Sequence, residues 1–254
     1  MSRGEPGPVS ASAPAPAIEC RALKVTFGTK TALDGLDLNV RRGEVFGFLG
    51  PNGAGKSTTI KTLLGLVRPQ SGEAFLDGLP ASDPSARRRI GFLPEEATYY
   101  RFLNPMEILA FYGKLSGMET QLIDRRSREL LDRVGLGAVK KKPLSTFSKG
   151  MTQKVSLAQC LLHDPDILIL DEPTSGLDPL ARIDLRDILS ELNARGKTIF
   201  FSSHELSEVE LLCHSVAIVN GGKVIRSGPL DSVLSGRKQD LEKFFIETIR
   251  SQAR

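Results

Sequence analysis

The loop from Gly50 to Thr58, which reads GPNGAGKST, is the feature that most constrains how this chain can fold. It follows an apolar stretch typical of a strand (residues 45–49) and precedes a stretch with helical periodicity. A glycine-rich loop in this place lets backbone N–H groups point at phosphate oxygens, beside the positive end of the following helix. The spacing G-x-x-x-x-G-K-S predicts a phosphate-binding loop made of Gly50, Pro51, Asn52, Gly53, Ala54, Gly55, Lys56, Ser57 and Thr58.

Near the end of this loop, Lys56 supplies a positive charge and Ser57 a hydroxyl that can bind a metal ion. Lys56 is expected to reach the β- and γ-phosphates of a nucleotide, and Ser57 to offer its hydroxyl to Mg²⁺. The ion bridges those phosphates and offsets their charge. Glycine-rich turns without a ligand also connect strands to helices, but they do not require Lys-Ser at the end of the loop.

Composition excludes several classes of protein. The 254 residues are 40% hydrophobic and 25% charged, which is typical of a globular protein with a sizeable core. The formal charge of +4 is small and scattered, so we expect no nucleic-acid partner. Three cysteines without a C-x-x-C pair argue against a disulfide framework or a zinc knuckle and favour a reducing cytoplasm.

Nothing in the sequence predicts a membrane span or a signal peptide. No run of about eighteen apolar residues occurs, and the first residues lack the apolar segment of a secretory signal. Any role at a membrane is therefore expected to depend on a partner.

The pattern along the chain predicts three regions. Residues 1–17, rich in Pro, Ala, Ser and Gly, are expected to form a disordered tail. Antiparallel strands with a turn at Asp34-Gly35 follow, and residues 97–163 are expected to insert helices, one of them capped by Asn104. A later hairpin is expected to turn at Asn220-Gly221, and residues 229–254 are predicted to form a helical extension.

Polar side chains follow two strands of the predicted parallel sheet. The unbroken apolar run at residues 167–170 is typical of a strand buried on both faces, and it leads into Asp171 and Glu172. His204 follows the strand predicted at residues 198–201. Active sites of such sheets lie at the carboxyl ends of the strands. We therefore expect Asp171 to hold the magnesium shell through water, Glu172 to accept a proton from the attacking water, and His204 to reach the same edge.

With these residues in view, the sequence resembles the ATP-binding subunits of ABC transporters over residues 18–228. The stretch from Leu144 to Lys154, LSTFSKGMTQK, is similar to the signature that commonly reads LSGGQ in that family. Phe27 stands where an aromatic residue stacks on adenine. The contacts carried over from the family's signature and D-loop are Ser148, Lys149, Gly150 and Met151, and Ser175, Gly176, Leu177 and Asp178.

The resemblance implies a fold, an assembly and a location. The fold is α/β, a P-loop NTPase core of mostly parallel sheet with flanking helices, an antiparallel β subdomain and an inserted helical subdomain. In the family two copies dimerise head to tail, and each ATP lies between the phosphate loop of one copy and the signature of the other. Such a subunit is cytoplasmic and peripheral to the membrane, hydrolyses ATP with Mg²⁺, and powers a separate integral permease. The segment from Tyr99 to Pro105 resembles the region that touches the permease.

Two places depart from the family pattern. Phe147 and Lys149 replace the usual Leu and Gly of the signature. Glu95 stands where the family generally has the Gln of its Q-loop, and we expect Glu95 to act as a metal ligand. The Lys149-Gly150-Met151 and Pro94-Glu95-Glu96 segments resemble those of export systems.

Two other classes of protein fit less well. An ABC ATPase of translation or DNA repair usually has two nucleotide domains or a long coiled-coil insertion, and this chain has neither. A P-loop GTPase would carry the guanine-reading N-K-x-D pattern, which is absent. The substrate would be selected by the permease and is not encoded here.

Overall fold

Ten strands form two sheets in the computed structural model, which describes residues 15–234 and 241–251. The antiparallel sheet has the order β2-β1-β4-β5 and contains β1 (Ile18–Phe27), β2 (Lys30–Val40), β4 (Ser71–Leu76) and β5 (Leu79–Pro80). The larger sheet has the order β10-β9-β3-β8-β7-β6 and contains β3 (Val45–Leu49), β6 (Ile90–Leu93), β7 (Ile167–Asp171), β8 (Thr198–Ser203), β9 (Ser215–Asn220) and β10 (Lys223–Pro229). Its five strands from β9 to β6 are parallel, and β10 pairs antiparallel with β9.

Eight α-helices connect and cover these sheets in the described part of the chain: α1 (Lys56–Leu63), α2 (Pro105–Leu115), α3 (Thr120–Arg133), α4 (Lys149–Leu161), α5 (Pro179–Ala194), α6 (Leu206–Leu212), α7 (Leu230–Val233) and α8 (Leu241–Ser251). Helix α2 begins with a capping box, in which the Asn104 side chain accepts from the Glu107 N–H while the Glu107 carboxylate accepts from the Asn104 N–H. The predicted cap at Asn104 is therefore confirmed. None of these helices is long and apolar enough to cross a lipid bilayer.

Two clusters of buried side chains lie on opposite faces of the parallel sheet. One joins that sheet to α1 and the antiparallel sheet, and it includes Phe46 and Phe48 of β3. The other joins the opposite face to the remaining helices, and it includes Val45 and Leu49 of the same strand. Because β3 alternates between the two clusters, all of its residues are buried. The strand that leads into the phosphate loop is thus fixed from both sides.

The predicted turn at Asp34-Gly35 is wrong. Strand β2 runs through both residues, and the chain turns at residues 28 and 29 instead. Asp34 pairs with Lys24 and Leu36 with Leu23, so Gly35 is an extra residue in the ladder, with φ of +72°. A glycine in this conformation is typical of a β-bulge as well as of a turn, and sequence alone does not separate the two.

The second hairpin turns one residue later than predicted. Asn220 pairs with Lys223, so the two turn residues are Gly221 and Gly222, at φ of +55° and +75°. A two-residue turn of this type requires positive φ at both positions, which Gly-Gly can satisfy as well as Asn-Gly, so the sequence N-G-G allows either register. Gly222 donates its N–H to the Ala54 carbonyl, which ties this turn to the phosphate loop.

The chain is already ordered before residue 18, where the sequence predicts that the tail ends. Ala17, predicted to lie in the disordered tail, is fully buried and donates its N–H to the Val40 carbonyl at 2.8 Å. Residues 1–14 of that tail lie outside the described residues, as do 235–240 and 252–254 of the C-terminal extension. Helix α8 is present where the sequence predicts one, with Leu241 fully buried and Phe244, Phe245 and Ile249 packed against the core.

The three cysteines, Cys20, Cys160 and Cys213, are free and buried. Burial raises the pKa of each thiol well above its usual range, because the interior disfavours the thiolate. They therefore act as small core residues, in agreement with the expectation that the chain has no disulfide framework.

Candidate functional site

The phosphate loop closes over the carboxyl end of β3 and leads directly into α1. The loop has little spare room at its start, because a β-carbon added at Gly50 would lie 2.5 Å from the Val219 carbonyl oxygen. Lys56 is the first residue of α1 and is buried. Its ammonium donates to the Gly50 carbonyl at 2.6 Å and lies 3.5 Å from the Pro51 carbonyl oxygen. Carbonyl oxygens at the start of the loop thus surround the Lys56 ammonium.

The candidate carboxylates lie where β7 ends. Asp171 is the last residue of the strand and Glu172 the first after it, and both are buried. Glu172 has φ of +48°, a left-handed conformation that is rare for a residue with a β-carbon. Strained backbone of this kind is concentrated at functional sites.

Glu172 connects Lys56 and His204. Its Oε1 lies 3.6 Å from Lys56 Nζ, and its Oε2 lies 2.8 Å from His204 Nδ1. An ionised carboxylate can only accept a hydrogen bond, so His204 donates from Nδ1. The backbone N–H of His204 also donates to Glu172 Oε2, with an N–O distance of 3.3 Å. The structure therefore brings Lys56, Glu172 and His204 together.

A cavity of about 310 Å³ lies in front of these groups. It is of a size that small-molecule sites use. The residues that line it are Phe27, Lys30, Ala32, Pro51, Asn52, Gly53, Gly55, Lys56, Ser57, Thr58, Glu95, Glu172 and His204. Phe27 is half exposed. The cavity thus unites most of the phosphate loop with Phe27, Glu95, Glu172 and His204, as expected for a single site.

The oxygen donors expected to hold a metal belong to three segments. Ser57 and Glu95 line the cavity, and Asp171 is buried and is not among its lining residues. Within residues 15–234 and 241–251 no group of three or more His, Cys, Asp and Glu is arranged to hold a metal. Mg²⁺ commonly takes only one or two protein oxygens and completes its shell with waters and substrate phosphates. The donors present therefore fit Mg²⁺ that arrives with a nucleotide.

The predicted signature residues lie outside this cavity. Ser148 caps α4, because its hydroxyl accepts from the Met151 N–H at 3.2 Å. Asp178 caps α5 in the same way, through the Ala181 N–H at 2.8 Å. The signature and the D-loop lie against each other, and Lys149 lines a separate cavity that also contains Glu95. One chain alone does not bring the signature to its own phosphate loop.

Ser202 is a site residue that the sequence did not single out. Its hydroxyl donates to Asp171 Oδ1 at 2.5 Å and accepts from the Glu172 N–H at 3.1 Å. Strand β8 lies beside β7, and Ser202 pairs with Asp171 in the register. The sequence shows only that a hydroxyl residue lies near the end of a predicted strand. That this hydroxyl contacts Asp171 depends on the pairing of β7 with β8.

The chain is similar to known proteins over most of its length. The family model described as ABC transporter matches residues 33–175. An uncharacterized ABC transporter ATP-binding protein of Nostoc is 46% identical over 208 residues, which are 81% of this chain and 62% of that protein. A Nod factor export ATP-binding protein I of Neorhizobium galegae is 39% identical over 231 residues, 90% of this chain and 67% of its own. The chain thus spans about six-tenths of the length of the Nostoc relative.

A solved structure described as the ATP-binding subunit of an ABC transporter has a similar fold. It superposes with a TM-score of 0.85 at 33% sequence identity, and the match covers 92% of this chain and 99% of that one. The predicted fold class, with its P-loop core, antiparallel sheet and inserted helices, is confirmed by this likeness and by the sheet topology.

We expect Ser202→Ala to destabilise the protein by about 1–3 kcal/mol, because the buried Asp171 carboxylate loses its hydroxyl partner. Urea unfolding measures this change. Ser82→Ala, at an exposed position, is the matched control and should stay within about 0.5 kcal/mol of the unaltered chain. Equal stability of the two variants would contradict a structural role for the Ser202 hydroxyl.

Proposed function

The chain belongs to the family of ABC transporter ATP-binding proteins, and on this premise we propose that it binds and hydrolyses ATP to power a separate membrane permease. The observation that carries the proposal is the shared cavity, in which Lys56, Ser57, Glu172 and His204 face one space. The oxygen donors at that space, together with a cationic loop, fit a magnesium nucleotide.

Each residue of the site has a distinct task in this proposal. Lys56 exchanges its bonds with the Gly50 and Pro51 carbonyls for phosphate oxygens, while the loop N–H groups bind the remaining oxygens. Glu172 accepts a proton from the attacking water, and His204 orients the carboxylate through Oε2. Ser57 and Glu95 are proposed metal ligands, and Asp171 acts through water. Bound Mg²⁺ offsets the phosphate charge.

Two copies are proposed to complete the sites. The capped start of α4 at Ser148 lies apart from the phosphate loop of its own chain, and a head-to-tail partner would place a second α4 start over the nucleotide. The N-terminal end of a helix attracts anions, which suits a triphosphate. Ser148, Lys149, Gly150 and Met151 are the proposed contacts in trans, and residues 175–178 form the D-loop.

The proposed permease contact is a groove of about 1070 Å³ beside β6, the edge strand of the parallel sheet. Arg87, Arg88 and His163 line it, and so does Tyr99, whose hydroxyl donates to Gln159 Oε1 at 2.8 Å. Tyr100 and Phe102 follow along the chain, 66% and 76% exposed, with ring centroids 5.8 Å apart. Exposed aromatic side chains are enriched in protein interfaces. Arg87, Arg88 and the exposed aromatic rings support a permease segment with both acidic and apolar side chains. We propose that the chain binds this segment from the cytoplasmic face of the membrane.

We propose export as the direction of transport. The support is the printed function of the Neorhizobium galegae relative, Nod factor export, and the likeness of the Lys149-Gly150-Met151 and Pro94-Glu95-Glu96 segments to those of export systems. The transported substrate is a property of the permease.

We expect Lys56→Ala to weaken MgATP binding by roughly thirtyfold or more, because removing one partner of a buried charge pair costs about 2 kcal/mol or more. Calorimetric titration of the purified chain measures it. Lys61→Ala, on the exposed face of the same helix, is the control and should bind normally. Undiminished affinity in Lys56→Ala would remove the phosphate-loop assignment.

Glu172→Gln is expected to bind ATP but to hydrolyse almost none, because it keeps the binding residues and loses the general base. It should therefore accumulate as an ATP-bound dimer. Sedimentation velocity at saturating MgATP measures the dimer. A second change, Ser148→Arg, should return it to the monomer by obstructing the trans contact. A monomer in Glu172→Gln at saturating ATP would count against the shared site.

Variants of Glu95 and Glu172 are expected to differ in how their ATPase activity depends on Mg²⁺ concentration. Glu95→Gln should keep much of its ATPase activity, and Glu95→Ala should need more Mg²⁺, because it loses one of several metal contacts. Glu172→Gln should stay nearly inactive at any Mg²⁺ concentration, since losing a general base costs about a hundred- to ten-thousandfold in rate. If Glu172→Gln were active and Glu95→Gln inactive, the two carboxylates would exchange roles.

The permease contact is tested by purification of the tagged chain from membranes. The unaltered chain should retain an integral membrane protein, identified by mass spectrometry, and the double variant Tyr100→Ser/Phe102→Ser should lose it while still binding ATP. Leu66→Ser replaces an equally exposed apolar residue at the end of α1 and is the control. Retention by the double variant would place the contact elsewhere.

A further inference from the structure

Lys149, the first residue of α4, touches two other segments of the chain. Its aliphatic stem lies across Gly176, so that a β-carbon added at Gly176 would come within 2.9 Å of Lys149 Cδ and 3.0 Å of its Cε. At its tip, Lys149 Nζ lies 4.0 Å from Glu96 Oε1. One side chain thus connects the signature helix with the D-loop and with the segment after β6.

Gly176 accommodates this contact in two ways. It has φ of +75°, a conformation that residues with a β-carbon rarely adopt, and it has no side chain to displace the Lys149 stem. The packing continues at Gly150, where an added β-carbon would lie 3.7 Å from Leu177 Cδ2 and 3.9 Å from the Gly176 carbonyl oxygen. The D-loop and the start of α4 are therefore in direct contact within one chain.

Both segments that Lys149 touches lead to the proposed reacting groups. In the D-loop, the Ser175 N–H donates to the Glu172 carbonyl at 3.0 Å. On the other side, Glu96 directly follows Glu95, which lines the phosphate-loop cavity. A displacement of the Lys149 stem would consequently reach Glu172 through Gly176 and Ser175, whereas the exposed pair with Glu96 is too weak to transmit it to Glu95.

We propose that Lys149 is a positioning residue that keeps the signature helix and the D-loop at a fixed separation, so that both enter the dimer as one unit. The inference rests on the proposed function, since it concerns the assembly of the shared ATP site. The stem of Lys149 supplies the contact rather than its charge. The Lys149 and Glu96 side chains are 57% and 80% exposed, and ion pairs so exposed contribute little.

The first test measures kcat and ATP affinity of the full chain. Lys149→Ala should lower kcat by about fivefold, well short of the roughly hundredfold that a displacement of about 1 Å can cost. The affinity of the monomer for MgATP should not change, because Lys149 lies outside the phosphate-loop cavity of its own chain and its proposed contact in trans requires a dimer. Lys149→Met keeps a stem of similar length without the charge and should restore most of the lost kcat. A Met variant as impaired as the Ala variant would overturn the proposal.

A double-mutant cycle with Gly176→Ala isolates the contact. In the unaltered background this change should lower kcat, because the new methyl group displaces the Lys149 stem and the backbone is strained. In the Lys149→Ala background only the backbone strain remains, so the additional loss should be smaller. Losses that multiply independently would show that the two residues do not act together and would overturn the proposal.

The failure of this inference differs from the failure of the proposed function. An unaltered chain without ATPase activity would remove the proposed function. If the chain hydrolyses ATP, Glu172→Gln is inactive and Lys149→Ala keeps its full kcat, only the positioning role of Lys149 is refuted.

Discussion

The site depends on three neighbouring parallel strands that end at the same level. In the register of the sheet Leu49 pairs with Ser203, and Asp171 pairs with Ser202, so β3, β8 and β7 present their carboxyl ends side by side. The phosphate loop, the candidate carboxylates and His204 each begin where one of these strands stops. The strands are buried on both faces, which leaves no freedom to slip by one residue without moving every side chain to the opposite face.

A buried cation sits at the junction of these strand ends. Lys56 is held by carbonyl oxygens of its own loop and lies near Glu172, so its charge is compensated before any ligand arrives. An uncompensated ammonium in the interior would be costly. In the proposed function an incoming phosphate would therefore meet a cation that is already in place.

The parts of the fold that local pattern determines could be predicted, and the parts that depend on pairing could not. The buried strand β7 and the capped helix α2 follow from apolar runs and from Asn104-Pro105, which act within a few residues. Gly35 lies in a bulge rather than a turn, and the second turn lies at Gly221-Gly222 rather than Asn220-Gly221. The residue types allow each alternative, and only the register with the partner strand decides between them. Ser202 was missed for the same reason: its role exists only across the β7–β8 pair. The grouping of Glu95 with Glu172 and His204 depends on tertiary packing, since Glu95 and Glu172 are 77 positions apart in the sequence, and for Glu95 the family resemblance rather than local pattern predicted it.

The left-handed backbone at Glu172 sets stability and chemistry against each other. Backbone in this region costs a residue with a β-carbon about 1–3 kcal/mol, whereas glycine adopts it freely. The residue that would suit the backbone best at this position is therefore one that has no carboxylate. Glycine would relieve the strain, but it would also remove the carboxylate that lies near the buried Lys56 ammonium, and with it the proposed proton acceptor.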